Sequence, residues 1–422
     1  MANKTSIEWT DFNWNFLRGC SRVSEGCRNC YAEKIAARFS DKGLPYHGIA
    51  KRRDFVGDQR SSWTGEISFH EDILLKPLRW TKPRKVFVNS MSDLFHEKVK
   101  DEWLDRAFAV MALTPHITYQ ILTKRPHRML EYLTAPSVRF PTSNEPRPEI
   151  SYQLALLTDV TNRKSIDRSS AVQNRICHGG WPLPNVWLGV SVEDQKTADE
   201  RIPLLLQSPA AVRWISAEPL LGPVDLEHRP TGFDIAWSNY LTGRDHIHDG
   251  REVVDQGVPI QYNKIDWIVV GGESGPKARP MHPEWVRSLR DQCLAVCKDC
   301  AALTAKYAVS TGPGFLDDST HWASCQRPAF FFKQWGNWWP IGQMPDGVSD
   351  SYYDPKRGKP KRGSYDDRPA PKPVDTTVLQ LDGSQEFAFP HGSMTCFNVG
   401  KHKSGRLLDG REWNEMPQIK EH

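Results

Sequence analysis

The sequence has no long apolar run. Nowhere do about 18 consecutive apolar residues occur, the length that a membrane-crossing helix needs, so no such helix is expected. The opening stretch MANKTSIEWTDFNW lacks the basic segment and apolar core of a secretory leader, and a cytoplasmic protein is expected. Net charge is small: 55 Lys and Arg stand against 51 Asp and Glu, a formal +4. That balance permits a nucleic-acid partner without demanding one, because dedicated binders are more strongly basic. The glycine-rich GGESG at 271–275 lacks the Lys-Ser/Thr ending of a phosphate-binding loop and the full dinucleotide fingerprint, which argues against a nucleoside triphosphatase. No internal repeat is visible.

What is present is a rhythm of short apolar runs rich in β-branched and aromatic residues. They lie at 86–88, 118–122, 186–190, 212–215, 265–270 and 329–332, each ending in a polar or glycine-rich loop. Such runs read as buried strands. Helical patterns at 100–112, 127–133, 196–206 and 283–296 alternate with them. In the last, Trp285, Leu289, Cys293 and Val296 share a face and Pro283 suits a first turn. Strand–helix alternation predicts a parallel α/β sheet, taken here as a partial or irregular (β/α) barrel over 1–345. Segments 134–184, 227–263 and 297–328 interrupt it as insertions. Residues 346–390, with DPKRGKPKRGSYDDRPAPKP, read as a polar basic linker. Residues 391–422 have enough Leu, Trp and Met to dock back on the barrel.

Nine cysteines are present, and in a reducing compartment clustered ones point to metal before disulfide. Cys20, Cys27 and Cys30 stand in CSRVSEGCRNC, a C-x6-C-x2-C spacing. Three thiolates so close can hold three irons of a 4Fe-4S cluster, leaving the fourth iron without a protein ligand. Gly19 and Gly26 flank them, an extended stretch precedes and the helical YAEKIAARF follows, its amides facing the cluster's charge. Zinc is the alternative, with a fourth ligand from afar such as His47 or His96. A second group, Cys297, Cys300, His321 and Cys325, has zinc-like C-x2-C-x20-H-x3-C spacing, with an auxiliary cluster as its competitor. Cys177 and Cys396 have no evident partners.

The stretches GCSRVSEGCRNCYAEKIAARF, VFVNSMSDLFH, ILTKRP, WLGVSVED, ISAEPLLG, VVGGESG, FFFKQWG and GRLLDGREWNEMP together resemble a phage and prophage protein family of unknown function with a diverged radical-SAM-like barrel. The resemblance covers most of the chain outside the insertions and the linker. It implies a radical S-adenosylmethionine (SAM) enzyme, in which the open iron binds SAM and an electron releases a 5′-deoxyadenosyl radical. An electron donor such as flavodoxin or ferredoxin is then implied. The sequence departs from radical-SAM enzymes at large in two places. Their commonest spacing is C-x3-C-x2-C, and their glycine-glycine-glutamate element usually follows the second strand. Here Asn89, Ser90, Met91, Ser92 and Asp93 occupy that place, and Gly271, Gly272 and Glu273 come later.

SAM needs acceptors for its ammonium, donors for its carboxylate and partners for its ribose. By type and position, Asp93 and Glu273 suit the ammonium, and Ser90, Ser92 and Ser191 the carboxylate or ribose. Glu193 and Glu218 suit ribose or substrate. Lys124 and Arg125 suit an anionic group such as phosphate, and Lys333 and Gln334 close the series. Each of these types serves equally well as a cap or loop brace. The TKRPHR loop, the basic linker and 16 Trp agree with a nucleic-acid or nucleotide substrate. The competing expectation is a non-catalytic, zinc-dependent protein that binds nucleic acid or a partner; a metal-dependent hydrolase ranks below both.

Overall fold

The computed structural model describes residues 3–55, 58–137, 139–140, 143, 147–158, 163–177, 180–230, 236–247, 254–255, 258–259, 263–296, 327–345, 348, 374–385 and 390–417. Seven strands form one parallel sheet in chain order: β1 (Phe12–Trp14), β2 (Arg84–Val88), β3 (Ile117–Thr123), β4 (Val186–Ser191), β5 (Val212–Ala217), β6 (Trp267–Gly271) and β7 (Ala329–Gln334). Strand β1 lies in the stretch read as extended, and the other six are the six apolar runs. The sheet curls into a half-barrel, and among the described residues its first and last strands do not pair. Among the described residues the ring is not closed.

Two faces divide the side chains of each strand. Leu188, Val190, Ile215, Ile268, Val270, Phe330 and Phe332 point outward into the main core beneath the helices. Trp187, Val212, Trp214, Trp267, Val269, Ala329 and Phe331 point inward. Trp9 reaches Phe87 on β2 and Trp267 on β6, strands that are not neighbours, with ring centroids at 4.9 and 5.9 Å. That contact across the curl marks the inner face. Gly189 is needed there, because the Trp214 indole lies where its Cβ would stand. Strands buried on both faces are what continuous apolar runs predict.

The longer helices among the described residues are α1 (Tyr31–Arg38), α2 (Asp101–Leu113), α3 (Pro126–Thr134), α4 (Pro148–Leu157), α5 (Arg163–Cys177), α6 (Gln195–Gln207) and α7 (Pro283–Ala295). Helix α6 starts at a capping box, where the Asp194 carboxylate accepts from the Thr197 amide at 2.9 Å. Helices α3 and α7 start with Pro at the first turn. Cys293 is buried on α7. Inside the insertion 134–184, read as polar and turn-rich, α4 and α5 bury Ile150, Leu154, Val172 and Ile176 in the main core. Each pair has i, i+4 spacing, enough for an apolar stripe. No described helix is long and apolar enough to cross a membrane.

After β7 the chain forms a three-stranded antiparallel sheet from β8 (Trp338–Pro340), β9 (Thr376–Leu379) and β10 (Met394–Asn398). Strand β9 lies inside the stretch read as linker, and it buries Val378 and Leu379. The tail then returns along β7. The Phe332 amide donates to the Trp413 carbonyl at 3.0 Å and the Glu415 amide to the Phe330 carbonyl at 3.2 Å. Arg327 and Glu415 pair at 2.8 Å. Cys297, Cys300, His321 and Cys325, with most of 346–373, lie outside the described residues.

Candidate functional site

Polar side chains gather where the parallel strands end, at the carboxyl mouth of the half-barrel. On the inner face of β4, β5 and β6 the order runs from Trp to Gly or Ser, then to an acid beyond the strand: Trp187, Gly189, Ser191, Glu193; Trp214, Ser216, Glu218; Trp267, Val269, Gly271, Glu273. Period-two alternation keeps these residues on one face. The architecture thus places its acids in one layer at the mouth, where such folds carry their chemistry.

The loop after β1 carries the three cysteines into that mouth. Gly19, at φ +105°, turns the chain against the Glu66 carbonyl, where a Cβ would collide. Cys27 ends a short 3-10 turn, Glu25–Cys27, and Cys30 caps α1. All three thiols are half-buried and unpaired. They sense one another electrostatically. Burial, with the Asp93 charge behind it, pushes the Cys20 thiol up to about 12, while Arg125 opposes the shift. Burial also raises the Cys30 thiol, opposed by backbone hydrogen bonds from Glu33 and Ala32 at the start of α1. Those amides are helix-terminal donors suited to a thiolate.

Arg125 sits behind Cys20. It is buried, and its Nη1 donates to Asp93 at 3.0 Å and approaches the Cys20 sulfur at 3.8 Å. Its Nη2 donates to the Ser21 hydroxyl at 2.7 Å and the Ser21 carbonyl at 3.0 Å, and its Nε to Glu97 at 2.8 Å. Asp93 also accepts from Thr123 at 2.7 Å and from the amides of Phe95 and Lys124 at 3.0 and 3.1 Å. The Asp93 carboxylate is thus a brace joining the loops after β2 and β3. His96 commits one ring nitrogen to Ser21 at 3.0 Å and the other to the Lys98 amide at 3.2 Å.

Two further carboxylates are held by cations. Glu193 pairs with Lys124 and with Arg201 at 3.0 Å, and accepts from Ser24 in the cysteine loop at 3.2 Å. Burial alone would raise its carboxyl, but the two cations outweigh burial and hold it below its ordinary value. Glu273 accepts three hydrogen bonds from Arg279, at 2.8, 2.8 and 3.0 Å, and one from Asn29 at 2.9 Å. Its carboxyl is likewise held low against burial, first by Arg279 and then by Asn29. Arg279 also reaches the Glu25 carbonyl at 2.9 Å. Both acids therefore fasten the cysteine loop to the strand ends.

The remaining expected residues line the same mouth. Lys333 pairs with Glu218 at 3.0 Å, and the Ser216 hydroxyl donates to Glu218 at 3.3 Å. Gly271 leaves room for that carboxylate, and Gly272 passes close under the Trp335 carbonyl. Gln334 donates to Ser274 at 3.2 Å and has a buried, unpartnered Oε1. Asn89, at φ 57°, accepts from the Leu17 amide at 3.2 Å, and its Nδ2 is buried without a partner. Ser90 donates to Asn15 at 3.2 Å and Ser92 to the Leu17 carbonyl at 3.1 Å. Ser191 is buried, and its carbonyl accepts from Arg201 at 2.8 Å. Helix α1 crosses the mouth: Tyr31 donates to the Ser90 carbonyl at 2.7 Å, and Lys34 to the Pro276 carbonyl at 3.4 Å.

Sequence reading missed Arg201, Arg279, Asn29, Ser24 and Tyr31. Arg201 lies eight residues beyond Glu193, two helical turns into α6, a weak but usable signal. Arg279 lies six residues beyond Glu273 in an irregular loop and carries none. Among the described residues no three His, Cys, Asp or Glu side chains are gathered closely enough to hold a metal ion. The three thiols are ligands of the type an iron–sulfur cluster takes. They share one loop, the α1 amides face Cys30, and a buried guanidinium faces Cys20.

The family described as Protein of unknown function (DUF5131) matches residues 4–300 and 316–417. The chain belongs to the DUF5131 family. No curated protein and no solved structure matches it. In this DUF5131 protein both matched stretches contribute to the mouth: the first supplies the cysteine loop and β1 to β6, the second β7 with Lys333 and Gln334.

Proposed function

We propose that this protein is a radical-SAM-type iron–sulfur enzyme. One observation carries the reading: Cys20, Cys27 and Cys30 lie on the loop after the first strand, at the carboxyl mouth of a parallel half-barrel, with the start of α1 at Cys30. When bound, a 4Fe-4S cluster with SAM would supply a 5′-deoxyadenosyl radical there. The chain's own part is binding and orientation. The three thiolates would hold three irons, and the α1 amides offset the charge on Cys30. The ion pair of Glu193 with Lys124 and Arg201, and that of Glu273 with Arg279, keep the loop seated. Asp93 is taken up by its brace, so Glu218 and Lys333 are the charged pair left to meet SAM or substrate. Ser90, beyond β2, and Ser191, at the end of β4, are candidates for hydroxyl or carboxylate contacts.

The substrate class we assign is nucleic acid or nucleotide. On α1, exposed Tyr31 and Lys34 lie beside the mouth, and Arg38 with exposed Phe39 follows at the far end of the helix, a set of stacking surfaces and cations that suits bases and phosphates. A flavodoxin- or ferredoxin-like donor would supply the electron. Against a zinc centre, His96 has both ring nitrogens engaged and is not poised as a fourth ligand. The test is anaerobic purification with iron, sulfide and zinc analysis. About four irons per chain, a brown colour bleached by dithionite, and 5′-deoxyadenosine on adding SAM are expected. Colourless protein carrying only zinc after reconstitution would sink the reading and favour the binding protein.

A further inference from the structure

Among the described residues, Arg125 is a buried guanidinium set against a cysteine sulfur. It approaches Cys20 at 3.8 Å through the same Nη1 that donates to Asp93 at 3.0 Å. Ser21 fixes its second nitrogen at 2.7 Å, and Glu97 fixes Nε at 2.8 Å. Asp93 is itself held by Thr123 and two backbone amides. The guanidinium therefore has no freedom to swing away from the sulfur. Burying a cation is costly unless it is fully engaged, and Asp93, Glu97 and Ser21 supply that engagement while leaving Nη1 against the sulfur.

We propose that Arg125 is a positioning residue that sets the reduction potential of a cluster held at Cys20, by donating to the ligand sulfur and placing a positive charge beside it. The inference rests on the iron–sulfur reading above. Its physics is that of hydrogen bonds to cluster sulfurs. An N–H donor draws electron density from the thiolate, and a nearby cation stabilises the more negative, reduced cluster. Both effects make reduction easier. Asp93 and Glu97 act the other way, and Arg125 screens them from the cluster. Removing Arg125 therefore removes two favourable effects and uncovers two unfavourable charges, all pushing the potential down.

The test is the midpoint potential of the reconstituted full-length protein, read by electron paramagnetic resonance during a redox titration, alongside iron content. Arg125→Gln is expected to keep the cluster but lower the potential. Arg125→Lys, which keeps the charge and loses the fork, should fall between Gln and wild type. Glu97→Gln alters a largely exposed side chain and should raise the potential. A purely structural role would not produce shifts of opposite sign. Where Arg125→Gln fails to load iron, Arg125→Lys and Glu97→Gln decide the matter. Potentials equal to wild type in loaded variants overturn the role of Arg125 and leave the enzyme reading intact. Absence of iron from the wild-type protein overturns both.

Discussion

Glu193 is 1% exposed and carries two cations and the Ser24 hydroxyl. Removing one partner from such a buried set leaves uncompensated charge, at a cost of about 3–5 kcal/mol. Glu193→Gln should therefore lower the melting temperature sharply, and a variant melting with wild type in calorimetry would contradict this role. Glu193 and Glu273 also predict a pH dependence. Their folded carboxyls are held below the ordinary value of about 4.3. The stability they contribute is present in full above that value and lost as pH falls through the lower folded values. Melting temperature should drop steeply in acid for the wild type and less steeply for Glu273→Gln. Parallel acid limbs would show that Glu273 contributes nothing there.

The element that matters most is the cysteine loop with α1. It is held by three strand-end acids through Arg125, Ser24 and the Asn29–Arg279 pair, while the α1 underside packs Ala32, Ala36 and Ala37 on the paired strands Ala50–Phe55 and Asp58–Trp63. Cys27 belongs to no buried apolar cluster among the described residues, so Cys27→Ala should leave the circular dichroism spectrum unchanged while, on the proposed iron–sulfur reading, abolishing iron content and SAM cleavage. Retained cleavage would refute the ligand assignment. Gly26 is different. A Cβ there meets the Glu193 carboxylate, which Lys124 and Arg201 pin in place. Gly26→Ala should therefore lift the loop and reduce iron loading several-fold, without unfolding the sheet. Loading at the wild-type level would show that the loop adjusts freely.

At the scale of the whole molecule, the tail covers the otherwise open edge of β7. Exposed parallel edges invite pairing between chains, and here Trp413, Asn414 and Glu415 lie along β7 instead. Trp413 is buried against Phe330 at 5.8 Å between ring centroids. Trp413→Ala should cost about 3–5 kcal/mol, and removal of 405–417 should shift the protein toward aggregates in size-exclusion chromatography. A monodisperse truncated chain with wild-type melting would refute the covering role.

Strands β2 to β7 were legible because residues buried on both faces write continuous apolar runs, and α1 to α3, α6 and α7 because an apolar stripe repeats with the helical period, whereas α4, α5 and β8 to β10 went unread. The cysteine triplet was legible because its members lie within eleven residues of chain. That polar residues would crowd the strand ends also followed from sequence, since a parallel sheet puts them at one mouth. Which polar residue holds which did not follow. Arg125 and Cys20 are 105 positions apart, and Asn29 and Glu273 are 244 apart. Such pairings depend on the curl of the sheet, which brings loops after distant strands together, and no local pattern encodes that curl. For the same reason only the tertiary structure shows that Asp93 and Glu273 are held as braces within the chain, while Glu218 and Lys333 face the mouth as a pair.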